Sequence, residues 1–297
     1  MSRRENALEV CATGPLATVQ DLGRPGQQAL GVGVSGAVDR PSLRLANRLL
    51  GNDEGEAGIE VTLGGLVVRA HGDLLAALTG APCPARLDEV PVGTAAPFRM
   101  PAGSTLRLDP APSGLRTYLA LRGGLDVAPV LGSRSTDVLA GIGPAVLAAG
   151  TVLPVGPPPL TQPNVDLAPV RGLPEAEVLL RVAPGPRTDW FTRGALATLG
   201  SAAYTVTAES NRVGMRLDGP RLERDIEGEL PSEGMVCGSL QVPPSGLPTL
   251  FLDDHPVTGG YPVIGVVCSA DLPLAGQARP GFRLRFRLNC DALEERR

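Results

Sequence analysis

The chain has 297 residues, 43% of them apolar but only 3% aromatic, and a formal net charge of −4. That length covers roughly two ordinary domains or one large β domain, with a core built from Val, Leu and Ala. The mild charge gives no general attraction to nucleic acid or to an anionic membrane, and no apolar run reaches the ~18–20 residues that span a bilayer.

All 27 basic residues are arginine. A chain without lysine has no P-loop lysine, no Schiff-base lysine and no residue on which biotin is carried covalently. Coding bias toward Ala, Gly, Pro and Arg explains the composition, and the chemical exclusion holds regardless. The five cysteines (Cys11, Cys83, Cys237, Cys268, Cys290) are scattered, odd in number and free of C-x-x-C spacing. They read as reduced thiols of a cytoplasmic protein. The opening MSRRENALEV lacks an apolar run of signal-peptide length.

In chain order, GVGVSG at Gly31–Gly36 matches G-x-G-x-x-G. A dinucleotide site would need a buried strand before it and a helix opening at its third glycine. The preceding GRPGQQAL is no such strand, so a tight backbone loop is the expectation. Asp39 can cap a helix with Pro41 in its first turn, running through SLRLANRLL and stopping at Gly51. Short strand-like runs follow: GLVVRA from Gly65, LLAALTG from Leu74, STLRLD from Ser104 and RTYLALRGG from Arg116.

The proline-rich stretch Pro154–Pro174 reads as a linker or crossover. It divides an N-terminal half, 1–153, from a C-terminal half, 175–297. The second half continues with EVLLRVAPG from Glu177, a helix over TDWFTRGALATLG from Thr188, YTVTAES from Tyr204 and GVVCS from Gly265. In RLRFRLN, Leu284, Phe286 and Leu288 should face inward while Arg283, Arg285 and Arg287 face water. Short strands punctuated by Gly and Pro predict a sandwich or barrel.

The stretch Pro231–Ile264 holds the densest set of polar groups on constrained loops. Glu233 follows a Pro-Ser turn, where a carboxylate acts as a base, an amide anchor or an ordinary surface acid. His255, one of two histidines, adjoins Asp253 and Asp254. A carboxylate can orient its imidazole as an acid or base, and a loop-structuring role is the alternative. Cys237 has no histidine near it in sequence and reads as an inert thiol. His71 and His255 belong to no ligand-spaced cluster, so no metal site is expected. Asn211-Arg212 pairs an amide with a fork-shaped cation suited to a carboxylate, carbonyl or phosphate, or else forms a turn with a solvated arginine.

Taken together, ten segments resemble one family. They are TVQDLGRPG from Thr18, GVSGAVD from Gly33, LRLANRLLGN from Leu43, E-x-T-L-G-G from Glu60, YLALRGG from Tyr118, GSRSTD from Gly132, ESNRVGMRLDGP from Glu209, SEG from Ser232, GSLQVPPSG from Gly238 and TGGYP from Thr258. The chain resembles the KipA-type proteins, also called allophanate hydrolase subunit 2 or biotin-dependent carboxyltransferase-like proteins.

The resemblance implies a mainly β fold of two cyclophilin-like β-barrel halves with a few short helices. It also implies the C-type component of an ATP-dependent 5-oxoprolinase-type complex, working with a KipI-type (B-type) partner and an A-type partner. The implied substrate is a small amide or lactam, and ATP is used by the complex. Two other roles in the family are carboxyl transfer from a biotin carrier on another chain and regulatory binding of a kinase inhibitor. On this view Glu233, His255 and Asp254 carry acid–base chemistry. Asn211 and Arg212 hold a carboxylate or phosphorylated intermediate, and Gln241, Thr258, Gly259, Gly260 and Tyr261 shape the pocket. Three positions depart from the family pattern: Cys237, His255-Pro256-Val257, and Val263 where a basic residue is common. Loss of that basic residue weakens a urea-carboxylase role.

Overall fold

The computed structural model describes residues 6–160, 165–170, 172–228 and 230–288. Strands dominate, and the chain forms two compact units, each discontinuous in sequence. Unit 1 comprises 1–24, 35–137 and 141–173; unit 2 comprises 25–34, 138–140 and 174–297.

Unit 1 contains a six-stranded and a five-stranded sheet. Its antiparallel pairs include Ala7–Thr13 with Leu66–Ala70, and Arg116–Leu121 with both Gly58–Thr62 and Leu74–Gly80. Inward residues of both sheets, among them Leu8, Val10, Val19, Ile59, Val68, Leu78 and Leu119, share one apolar core. The first helix spans Arg40–Leu50 and has the ends its sequence predicts. The Asp39 carboxylate accepts from Ser42 N, and Gly51 closes the helix at φ 69°. Leu49, Leu50 and Ala46 bury against Ala77 and Ala120 of the sheet.

A buried polar network holds the chain entering that helix. The Tyr118 hydroxyl donates to Glu60 Oε2 at 2.7 Å and accepts from Asp39 N at 2.7 Å, while Val38 N donates to the same Glu60 oxygen at 3.0 Å. Burial, then the charges of Glu60 and Asp39, push the Tyr118 phenol well above its usual 10. The phenol therefore keeps its proton for Glu60. A second knot joins two motifs distant in sequence. Asp21 accepts from the hydroxyls of Ser133 and Ser135, both at 2.6 Å, and from Arg134 N at 2.6 Å. Gly36, at φ 100°, lies so near Gly23 that a Cβ there would sit 2.8 Å from Gly23 N, which explains glycine at that position.

Unit 2 is a closed seven-stranded barrel. Glu177–Pro184 pairs in parallel with Arg283–Leu288 and antiparallel with Val263–Val267. Arg283–Leu288 alternates as its sequence predicts: Leu284 and Phe286 are buried, Arg283, Arg285 and Arg287 exposed, and Leu288 half-buried at the strand end. The second predicted helix is broken in two. Thr188–Trp190 makes a single 3₁₀ turn, Phe191 is extended, and the α-helix Arg193–Ser201 starts only where Thr192 Oγ1 accepts from Ala195 N. A threonine inside the expected helix is its cap.

The expected halves, 1–153 and 175–297, differ from the units because contacts are not ordered by sequence. Residues 25–34 and 138–140 pack with the C-terminal barrel unit. The proline-rich stretch is held within unit 1 as far as 173, with Arg122 donating to Pro159 O and Ala168 N to Ala95 O. Residues 161–164 and 171 of that stretch lie outside the described residues.

Candidate functional site

The loops around Glu233 and Thr258 meet in unit 2. Glu233–Gly234 and Thr258–Gly259 form a two-stranded antiparallel sheet, with Glu233 opposite Gly259. Leu230 N donates to Gly260 O at 3.1 Å and Met235 N to Val257 O at 2.8 Å, lacing the two loops on either side. Gln241, buried in its strand, donates to Tyr261 O at 3.2 Å. A Cβ on Gly259 would stand 2.6 Å from Gln241 Nε2, so a larger residue there would displace the amide. These contacts bring together Glu233, Gln241, Thr258, Gly259, Gly260 and Tyr261.

Sequence reasoning missed Arg187. Its Nε donates to Glu233 Oε2 at 3.0 Å and its Nη2 donates to Glu233 Oε1, making a bidentate pair. The side-chain hydrogen bond from Arg187 holds the Glu233 carboxyl below the usual range for a glutamate. Glu233 is therefore an anion at neutral pH, not a carboxylic acid ready to give up a proton. The partners are 46 residues apart, and GPR is unremarkable, so only a turn signal was visible before Thr188.

Arg212 and Asp254 form a different arrangement. Arg212 Nε and Nη2 meet the two carboxylate oxygens of Asp254, each at 2.9 Å, with side chains 1% and 0% exposed. Asp254 also accepts from Val138 N at 3.1 Å. Arg212 is sealed from solvent, so it does not present a guanidinium directly to a dissolved ligand. Its neighbour Asn211 is exposed, and its side-chain oxygen accepts from Val213 N at 2.8 Å and Gly214 N at 3.2 Å, organising a turn.

His255 is buried beside this pair. Its Nδ1 lies 2.8 Å from Pro256 O, so that nitrogen carries the proton and, in the neutral ring, Nε2 is the acceptor. The adjacent carboxylates are not its ring partners: among the described residues the imidazole bonds to the loop carbonyl. Cys237 is half-buried, with Sγ 3.9 Å from Phe251 O and 4.0 Å from Asp253 Oδ2. Val263 is buried against Met235 and Phe251, a core position with no anion contact.

Two expectations concern sites elsewhere. The 3₁₀ turn Gln28–Leu30, not a strand, precedes the glycine-rich Gly31–Gly36, and the helix opens only after Asp39. His71 makes a surface pair with Glu9 at 3.0 Å. Among the described residues no three His, Cys, Asp or Glu side chains are grouped to hold a metal, and no helix is long and apolar enough to cross a membrane. Unit 2 also has a cavity of about 500 Å³ between Arg221–Arg224 and Pro244–Gly246, lined by none of the residues singled out above.

The candidate site is thus two interlaced loops of the barrel unit that carry an arginine–carboxylate pair and a buried, hydrogen-bonded amide. The chain belongs to the carboxyltransferase domain, subdomain A and B, family, whose model matches residues 30–288. It is 39% identical to the C-type subunit of 5-oxoprolinase from Escherichia coli (strain K12) over 293 residues, covering 97% of this chain and 92% of that protein. The crystal structure of TTHA0988 superposes with a TM-score of 0.87 at 41% identity, covering 96% of this chain. The K. lactis urea amidolyase superposes with a TM-score of 0.91 at 28% identity, covering 99%. This chain spans 56% of TTHA0988 and 20% of the urea amidolyase chain.

Proposed function

We propose that this chain is the C-type subunit of an ATP-dependent 5-oxoprolinase-type complex, which opens the lactam of 5-oxoproline to glutamate. The observation that carries the reading is similarity to a C-type 5-oxoprolinase subunit over nearly the whole of both chains. A KipI-type (B-type) protein and an A-type protein are the partners. ATP is consumed by the complex, and this lysine-free chain builds no P-loop for it. No biotin is attached to this chain.

Lactam opening needs stabilisation of charge on the carbonyl oxygen and a proton for the leaving nitrogen. His255, which meets the Pro256 carbonyl through Nδ1 rather than Nε2, is the proposed proton carrier. Glu233, held ionised, serves as a fixed carboxylate beside the substrate. Asp254 and Arg212 act indirectly by setting the His255 loop. Thr258, Tyr261 and the backbone of Gly259–Gly260 shape the pocket, with Gln241 holding Tyr261 in place and Asn211 supporting the Arg212 turn.

Carboxyl transfer from a biotin carrier on another chain is the second reading, favoured by the K. lactis superposition over 99% of this chain. Buried Val263 counts against it, since no cation is available at that position. The test is to assemble this chain with the products of its neighbouring genes and measure ATP hydrolysis dependent on 5-oxoproline. Turnover that vanishes in Glu233→Ala, with the complex intact, supports the reading. No turnover in an assembled complex removes it, and a stable partner complex without turnover points to a regulatory binding protein.

A further inference from the structure

We infer that Arg187 anchors a carboxylate on the substrate, so that the ligand of these loops is a lactam or amide bearing an acid group; this rests on the lactam reading above. A guanidinium carries five N–H donors in a planar fork. In Arg187 one donor on Nε and one on Nη2 face Glu233. Nη1 makes no hydrogen bond among the described residues, and the side chain is 36% exposed. Both Nη1 donors and the second on Nη2 therefore remain, and one from each nitrogen forms the end-on edge that takes a carboxylate through two parallel bonds.

Glu233 gives this arginine what a solitary surface arginine lacks. It fixes the plane of the guanidinium, so less side-chain freedom is lost when a ligand binds. Glu233 is itself held in register opposite Gly259, and Gln241 ties down Tyr261 two residues further along that loop. Other arginines of this unit are paired too, and what sets Arg187 apart is its place on the Glu233–Gly259 loops. Arg212 is sealed against Asp254, and Arg181 grips Asp271 through Nε and Nη2. Arg224 lies over the Trp190 ring and donates to Gly228 O. A substrate such as 5-oxoproline carries the carboxylate this edge fits; urea carries none.

The experiment compares the full-length wild-type chain with R187Q and R187K. Each is titrated calorimetrically with 5-oxoproline and with pyrrolidinone, the same ring without its carboxylate; circular dichroism confirms the fold of each variant. R187Q should weaken 5-oxoproline binding by about ten- to a hundredfold, the size of a charge-assisted pair, and leave pyrrolidinone binding unchanged. R187K should restore part of the loss, as a point charge without the fork. In the assembled complex the same change should appear mainly in KM. R187Q binding 5-oxoproline within about twofold of wild type overturns the inference, as does equal loss of both ligands or no binding by wild type. Arg187-dependent binding without ATP hydrolysis by the wild-type complex would instead overturn the 5-oxoprolinase reading and leave the carboxylate anchor standing.

Discussion

Two arginine–carboxylate pairs of the barrel unit share the same bidentate chemistry and differ in their access to water. Arg212–Asp254 is 1% and 0% exposed, whereas Arg187–Glu233 is 36% and 31% exposed. Inside, each charge was stripped of water and depends on the other; outside, both remain solvated and the pair costs little to open. The sealed pair is therefore a structural joint that sets the His255 loop. The open pair keeps donors that can meet a ligand. Arg181–Asp271 is intermediate at its carboxylate, 11% exposed, while its arginine, at 38%, is as open as Arg187.

The contrast is sharpest under substitution. Asp254→Ala should leave a buried guanidinium without its counter-charge and destabilise the fold by about 3–5 kcal/mol in urea unfolding. Replacing Arg212 and Asp254 together with apolar residues should cost much less, and an equal cost would show that the pair is not the joint described. In unit 1, Tyr118→Phe strips Glu60 and Asp39 N of a shared hydroxyl, and about 1–3 kcal/mol should be lost in the same measurement.

The intermediate pair makes a pH prediction. Burial opposes ionisation of Asp271, but its bonds from the Arg181 side chain and backbone outweigh that and hold its carboxyl below the usual range. Its folded-state value is depressed, so its stabilisation is present above the ordinary aspartate pKa near ~4 and fades as pH falls through the lower folded value. Thermal melting of wild type and D271N should therefore differ at neutral pH and converge in acid. The smallest stability effect belongs to the open pair. E233Q should melt within error of wild type while the assembled complex loses turnover, and a large loss of stability would move Glu233 into the structural class.

What was legible in the sequence follows the range of the interaction. The helix at Arg40–Leu50 could be read because its cap, its Pro41 and its closing glycine lie within about a dozen residues. The arginine alternation in Arg283–Leu288 was equally local. The composition of Pro231–Ile264 marked loops that meet in space, and their pairing at Glu233 and Gly259 brought six of the chosen residues together. Arg212 and Asp254 were also chosen, but they stand 42 residues apart, and no local pattern shows their mutual burial. Arg187 was invisible for the same reason. Thr192 shows the opposite error, since a residue tolerated within a helix was read as interior when its hydroxyl was capping.

The threading of residues 25–34 into the barrel unit has a consequence for how the protein is made. This segment emerges early, yet most of its unit begins at 174, about 140 residues later, which at typical synthesis rates is a wait of roughly 10–30 s. During that interval it has nowhere native to settle, and Leu30, 67% exposed even in the finished fold, is open to other chains. Biogenesis of this protein should therefore depend on translation speed and chaperone cover more than its strand content alone would suggest. Expressing 174–297 by itself would also lack Val138, whose amide binds Asp254, and so give a barrel without one of its own parts.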